Sequence, residues 1–142
     1  MEVVKIVIVE DDVYQNKALT KYVQTICGSG RFPNISFSIK SYTNAHECIE
    51  EMDDDTGILL LDYYLINLEE TDVLTGGDVV DMVNKFCPDC EIVLISSQED
   101  PQITDELRAK GITEYVDKNL NSINRIGAVL QEIISNKSSI SK

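Results

Sequence analysis

The sequence predicts a doubly wound α/β fold, in which helices cover both faces of a single five-stranded parallel sheet. Two observations support this prediction. Short apolar runs alternate five times with segments of helical periodicity. The runs at residues 3–9 and 58–61 are apolar on nearly every position, which is typical of parallel strands that are covered by helices on both sides. A chain of 142 residues is long enough for one such domain with a sizeable core.

The first half of the chain contains two strands and two helices. Residues 3–9 are rich in Val and Ile and form the first predicted strand. The apolar period then changes to that of a helix over residues 12–27, and residues 35–39 alternate like a strand. Asn44 and Glu47 have the spacing of a capping box, so a second helix is expected to begin there.

The second half repeats this alternation three times. The predicted strands are residues 58–61, 91–95 and 113–116. Helices are expected after Gly77, from Pro101 to Gly111, and at the end of the sequence. The predicted inward residues of the first and last of these helices are Val79, Met82, Val83, Phe86, Ile123, Ile126, Leu130 and Ile134.

The charge balance limits the partners of this protein. Twenty-five acidic and twelve basic residues give a net charge of -13, which repels nucleic-acid backbones and anionic membranes. The first apolar run ends in three acids, unlike a signal peptide, so we expect a cytoplasmic protein. Residues 1–142 are predicted to form one stand-alone domain without an output domain, with a flexible tail from about residue 136.

Cys87 and Cys90 have the spacing of a redox or metal motif. They follow a predicted helix, whereas a reactive Cys-x-x-Cys normally opens one. His46 is the single histidine of the chain, and one close cysteine pair is half of a zinc site. A plain turn is the favoured interpretation, with redox or metal chemistry as the alternative.

Polar side chains follow four of the five predicted strands within two residues of the strand end. Because the carboxyl ends of parallel strands meet at one edge of the sheet, these side chains should lie close together. They are Glu10, Asp11 and Asp12 after the first strand, Asp62 after the third, Ser96 and Ser97 after the fourth, and Lys118 after the fifth. Clustered carboxylates favour a hard cation, and Mg²⁺ suits such oxygen ligands.

This set of side chains suits phosphoryl transfer. A carboxylate such as Asp62, beside a bound Mg²⁺, can attack a phosphorus atom and form an aspartyl phosphate. The Ser96 hydroxyl and the Lys118 ammonium can then bind two of the phosphoryl oxygens. Asp12 is expected to cap the first helix, which leaves Glu10 and Asp11 as the metal pair.

Four motifs in order, KIVIVEDD, GILLLDYYL, IVLISS and EYVDK, resemble the receiver domain of two-component response regulators. The resemblance covers nearly the whole chain and implies a flavodoxin-like sheet with strand order 2-1-3-4-5. It implies these roles: Asp62 as phospho-acceptor, Glu10, Asp11, Asp62 and the Tyr64 carbonyl as Mg²⁺ ligands, Ser96 as switch hydroxyl, Lys118 as phosphoryl partner and Tyr115 as switch aromatic.

The same resemblance implies the partners of this protein. They would be a sensor histidine kinase or a histidine phosphotransfer protein, and a downstream protein target. The net charge, and not the resemblance, is the reason to expect no nucleic acid and no membrane among the partners. The protein would not be an enzyme beyond its own phosphorylation and dephosphorylation. The side chains of Tyr64 and Gln98 would flank the phosphoryl group and lengthen its lifetime by impeding water.

The sequence departs from the receiver pattern at three places. Asn119 stands where the family usually has a proline in a cis peptide after the lysine, and Ile66 replaces another usual proline. The acidic segment NLEETDVLTG, residues 67–76, lengthens the loop after the acceptor.

Three other functions remain as alternatives. A haloacid-dehalogenase-like phosphatase uses a strand-end aspartate with Mg²⁺, but it needs a second aspartate where this chain has Tyr64. A flavodoxin-like FMN binder needs a phosphate loop after the first strand, where this chain has three acids. A degenerate receiver would act only as a binding module, but the intact acids, serine and lysine argue against it. Separately, an ordinary core aromatic explains Tyr115 about as well as a switch does.

Overall fold

The structure is a computed structural model, and it describes residues 2–62, 76–96, 101–118 and 122–140. Five strands alternate with five helices along these residues. The elements are β1 Glu2–Val9, α1 Val13–Cys27, β2 Ile35–Tyr42, α2 Ala45–Glu51, β3 Ile58–Asp62, α3 Gly76–Phe86, β4 Glu91–Ser96, α4 Pro101–Ala109, β5 Glu114–Asp117 and α5 Ser122–Ile140.

The strands form one parallel sheet with the order β2-β1-β3-β4-β5. Every neighbouring pair of strands is parallel. The register pairs Val9 with Leu61 and Ser96 with Asp117, so these strands end at the same edge of the sheet. We call this the carboxyl edge and the opposite side the amino edge. The predicted fold class and strand order are confirmed.

Each face of the sheet has its own hydrophobic core. Helices α2, α3 and α4 pack on one face, where Leu59 and Leu61 lie, and α1 and α5 pack on the other, where Ile58 and Leu60 lie. All four of these β3 side chains are at most 1% exposed. Since burial of one such side chain contributes about 1.5–3 kcal/mol, β3 is a main source of the stability of the fold.

Short polar side chains define where the helices begin and end. Asp12 caps α1, because its carboxylate accepts hydrogen bonds from the backbone N–H groups of Tyr14 (2.9 Å) and Gln15 (3.0 Å). Asn44 caps α2 by accepting from the Glu47 N–H at 2.7 Å. Gly111 follows α4 with φ +99°, a left-handed conformation that favours glycine. These boundaries confirm the predictions made from the caps.

The predicted inward positions of Met82 and Phe86 are wrong. Both side chains are partly exposed, whereas Val79, Val80 and Val83 are buried against the sheet. The apolar positions of α3 span a wider arc than one side of the sheet can cover, so those at the flank of the arc remain in solvent.

The ends of the final helix also differ from the prediction. Ile123 in its first turn is 39% exposed, while Ile126, Leu130 and Ile134 are buried as expected. Helix α5 continues to Ile140, past the expected start of a flexible tail at residue 136. Among the described helices, none has the length and apolar composition that spanning a bilayer requires.

Candidate functional site

Two acids and one lysine meet at the carboxyl edge of the sheet. Asp62 is the last residue of β3, and Glu10 and Lys118 each follow their strand by one residue. The Lys118 Nζ donates to Asp62 Oδ2 at 2.7 Å and to Glu10 Oε1 at 3.0 Å. We call Glu10, Asp62 and Lys118 the buried cluster. Three strands that are far apart in the sequence therefore bring the predicted residues together.

The acids of the buried cluster are removed from water. Glu10 is 4% exposed and Asp62 is 2% exposed. Burial, and then the hydrogen bond with Asp62, raises the pKa of Glu10 to about 7, although its hydrogen bond with Lys118 lowers it. Burial lowers the pKa of Lys118, but its hydrogen bonds to Asp62 and Glu10 outweigh this effect, so the pKa is raised overall. The lysine therefore holds its charge between the two acids.

A buried asparagine fixes the backbone around Glu10. The Asn16 side-chain amide donates to the carbonyl oxygens of Glu10 and Tyr42, both at 3.0 Å. The Glu10 N–H also donates to the Tyr42 carbonyl at 3.0 Å, which continues the pairing of β1 and β2. Sequence reasoning missed Asn16. The sequence pattern that could have identified it is its position on the same helical face as Leu19 and Val23 of α1, which places a polar side chain on the buried face.

The acids at this edge fit a divalent cation. One carboxylate oxygen from each of Glu10, Asp11 and Asp62 lies within 4.8 Å of the other two. Asp11 is exposed, whereas the other two are buried, so the cluster opens toward solvent at Asp11. Three carboxylates beside one ammonium leave a negative site, and Mg²⁺ prefers oxygen ligands of this kind. The chemistry of the donors agrees with the Mg²⁺ site that the sequence predicts.

Comparison with known proteins gives a match in structure. No protein-family model matches the chain, and neither does any curated protein sequence. One match is the activated receiver domain of DrrB, a protein from Thermotoga maritima. It superposes with a TM-score of 0.73 at 17% identity, over 95% of this chain and 99% of that one. A response regulator receiver domain from Clostridium thermocellum gives 0.71 at 12% identity, over 96% and 98% of the two chains.

The chain has the fold of response regulator receiver domains. Another match is a DNA-binding response regulator of the LuxR family from Staphylococcus aureus, with a TM-score of 0.69 at 14% identity over 92% of this chain and 98% of that one. The name of that protein states DNA binding for it alone. Identities this low establish the shared fold, and the residues at the carboxyl edge are the basis for any statement about function.

Two further predicted residues lie on the strands beside the buried cluster. Ser96 ends β4, the strand between those of Asp62 and Lys118, and it is buried. The Lys118 N–H donates to the Ser96 carbonyl at 2.8 Å, which fixes the ends of β4 and β5 side by side. Tyr115 of β5 is half-buried and packs against the core under α2, α3 and α4. The receiver fold thus places both residues near the carboxyl edge.

Several predictions fall outside the described residues. They concern Tyr64 and its carbonyl, Ile66, Ser97, Gln98, Asn119 with its peptide bond to Lys118, and the segment 67–75. The Cys87–Cys90 segment is described and forms a turn, in which the Cys90 N–H donates to the Cys87 carbonyl at 3.1 Å. Both thiols are free and buried, and burial raises the pKa of each, so the favoured interpretation as a plain turn agrees with the structure.

Proposed function

We propose that this protein is the phosphoacceptor receiver of a two-component phosphorelay. Asp62 accepts a phosphoryl group from the phosphohistidine of a sensor histidine kinase or a histidine phosphotransfer protein. The observation that carries the proposal is the 2.7 Å contact between Lys118 Nζ and Asp62 Oδ2 at the carboxyl edge of a receiver fold. A buried acid beside a fixed ammonium is suited to bind and stabilise an incoming phosphoryl group.

The transfer needs one nucleophile and a set of positive partners. A carboxylate oxygen of Asp62 attacks the phosphorus in line, the O–P bond forms, and the P–N bond to the donor histidine breaks with its electron pair on nitrogen. Lys118 neutralises charge on one phosphoryl oxygen, and the Ser96 hydroxyl donates to another. Glu10, Asp11, Asp62 and the Tyr64 carbonyl would hold Mg²⁺, which supplies positive charge beside the phosphoryl oxygens.

The product would act through its surface. When Ser96 binds a phosphoryl oxygen, space opens that Tyr115 enters from its half-buried position. The surface of α4, β5 and α5 then changes its preference for a downstream protein, which is a shift between two populations of one fold. The protein would modify only itself, in the cytoplasm, without binding nucleic acid or a membrane.

Intact mass spectrometry tests the assignment of Asp62. Wild-type protein incubated with acetyl phosphate and Mg²⁺ should gain the mass of one phosphoryl group, and Asp62→Asn should gain none. Asp55→Asn is the matched control, because Asp55 also contacts a lysine Nζ, at 2.8 Å, but lies at the amino edge. Equal labelling of wild type and Asp62→Asn would refute the proposal. Steady phosphate release from small esters would instead support a phosphatase.

The lifetime of the phosphorylated state is a separate prediction. Tyr64 and Gln98 lie two residues after Asp62 and Ser96 in the sequence, where side chains flank the phosphoryl group in the receiver pattern. We expect Tyr64→Ala to shorten the half-life of phosphorylated protein after removal of acetyl phosphate. A longer half-life in Tyr64→Ala than in wild type would contradict this role.

A further inference from the structure

A groove of about 580 Å³ lies between the first turns of α1 and α5 and opens onto the buried cluster. Its volume falls within the range of small-molecule sites in proteins, roughly 300–1,000 Å³. Among the described residues it is lined by Glu10, Gln15, Ala18, Leu19, Asp62, Ile95, Lys118, Ser122, Ile123 and Ile126.

The walls of the groove are mainly apolar. Ala18 and Leu19 of α1 face Ile123 and Ile126 of α5 across it, and Ile95 of β4 contributes from the sheet. Ala18 is exposed and Ile123 is 39% exposed, so part of this apolar surface is in contact with water. Covering it with an apolar molecule would release that water and favour binding.

The two helices are in close contact one turn further from the carboxyl edge. A Cβ atom on Gly127 of α5 would overlap the hydroxyl of Tyr22 of α1, so Tyr22 lies directly against the α5 backbone. Arg31 extends this contact by donating to the Gln131 side chain. The groove therefore lies on the side of the Tyr22–Gly127 contact that faces the carboxyl edge.

The polar end of the groove is negative. Glu10 and Asp62 line it, and Asp11 lies beside them, whereas Lys118 is the one cation among the described lining residues. The Lys118 Nζ already donates to both lining acids. An anionic group would meet an excess of carboxylates there, and a cationic group would meet oxygen acceptors.

We propose that this groove binds a small amphipathic organic cation, with an aliphatic or aromatic body between α1 and α5 and a primary ammonium group at Glu10, Asp11 and Asp62. Binding would cover Asp62 and compete with a divalent cation for the same carboxylates. This proposal stands apart from the phosphoacceptor function, because it depends on the shape and the charge of the groove.

Binding of three simple probes tests whether the groove requires both the ammonium group and the apolar body of the proposed ligand. Hexylammonium, hexanoate and ethylammonium are titrated into wild-type protein without Mg²⁺, and binding is followed by NMR chemical shifts of the α1 and α5 amides. We expect saturable binding of hexylammonium and at least roughly tenfold weaker binding of hexanoate, because charge near the acids decides between them. Ethylammonium has four fewer methylene groups and should bind about 100-fold more weakly.

Variants of the walls locate the bound probe. Ala18→Phe narrows the groove and should weaken hexylammonium binding at least tenfold, a loss of about 1.4 kcal/mol. Gln24→Phe is the matched control, because Gln24 is an exposed residue of α1 outside the groove, and it should bind like wild type. If Ala18→Phe does not fold, Ile123→Lys at the exposed rim provides the same readout, because its ammonium competes with the probe.

The outcomes separate this proposal from the function of Asp62. Equal affinity for hexylammonium and hexanoate, or unchanged affinity in Ala18→Phe or in Ile123→Lys, would overturn it. Addition of Mg²⁺ should weaken hexylammonium binding, and simultaneous binding without competition would also overturn it. None of these measurements involves phosphorylation, so failure of the acetyl phosphate experiment leaves them unaffected.

Discussion

At each of two opposite edges of the sheet, one lysine ammonium donates hydrogen bonds to two carboxylates, and the distances are similar. At the amino edge, Lys5 Nζ donates to Asp53 Oδ2 at 3.1 Å and to Asp55 Oδ1 at 2.8 Å. We call Lys5, Asp53 and Asp55 the surface cluster. In the buried cluster, Lys118 Nζ makes the corresponding contacts at 3.0 and 2.7 Å. The two lysine side chains are even exposed to the same degree, 28% and 29%.

The difference between the clusters is the environment of their acids. The side chains of Asp53 and Asp55 are 46% and 65% exposed, whereas those of Glu10 and Asp62 are 6% and 2% exposed. Hydrogen bonding to Lys5 lowers the pKa of Asp55, but burial raises that of Glu10 to about 7. Distances alone therefore do not identify a functional site. Desolvation makes the ionised form of a buried acid costly. A cation bound beside the two acids of the buried cluster therefore stabilises them more than it would stabilise exposed acids.

The largest expected contrast between the clusters is their response to Mg²⁺. Saturating Mg²⁺, at about 100 times its dissociation constant, should raise the free energy of unfolding of wild type by about 3 kcal/mol. Asp11→Asn should lose most of this gain, because Asp11 supplies one of three clustered oxygens. Asp55→Asn should keep it. Urea denaturation with and without Mg²⁺ measures both, and equal stabilisation of Asp11→Asn would place the ion elsewhere.

Removal of each lysine should give the next largest contrast. Lys118→Met leaves two buried acids without their cation, so the free energy of unfolding at pH 8 with chelator should fall by about 2 kcal/mol. Lys5→Met removes a partner of exposed acids and should change stability little. Chemical denaturation of the two variants under identical conditions makes the comparison. A greater loss in Lys5→Met would show that burial is not the deciding property.

The smallest contrast is in the pH dependence of stability without metal. Because the pKa of Glu10 rises from 4.5 to about 7 on folding, the folded state binds its proton more tightly, and stability should fall as pH rises through this window. Asp55 has a lowered pKa, so its contribution is present above pH 3.8 and is lost on further acidification. Denaturation midpoints from pH 3 to 8 measure both slopes.

A variant of Glu10 tests whether this residue causes the fall in stability at higher pH. Glu10→Gln cannot ionise, so its stability should stay nearly level between about pH 5 and pH 7, where that of wild type falls. Asp55→Asn should keep the wild-type slope in that range. An unchanged slope in Glu10→Gln would mean that another group titrates there.

Much of the candidate site follows from the sequence because parallel strands end at one edge. If the apolar runs before Glu10, Asp62 and Lys118 are parallel strands, these three side chains must lie at the same edge of the sheet. The sequence is sufficient to predict this. Asn16 was not predicted, because a polar residue on a helix is ordinarily exposed, and its two acceptors are backbone carbonyls that no sequence pattern marks. The groove between α1 and α5 was not predicted either, since its volume depends on how two helices pack.

The sequence by itself determined the alternation of strands and helices, the caps at Asp12 and Asn44, and the acids at the strand ends, because these depend on neighbouring residues and on period. Tertiary structure decided which side chains lose contact with water. Met82 is apolar and exposed, whereas Glu10 is ionisable and buried, because burial depends on the elements that pack above each position. The same packing distinguishes the buried cluster from the surface cluster, which have almost the same composition.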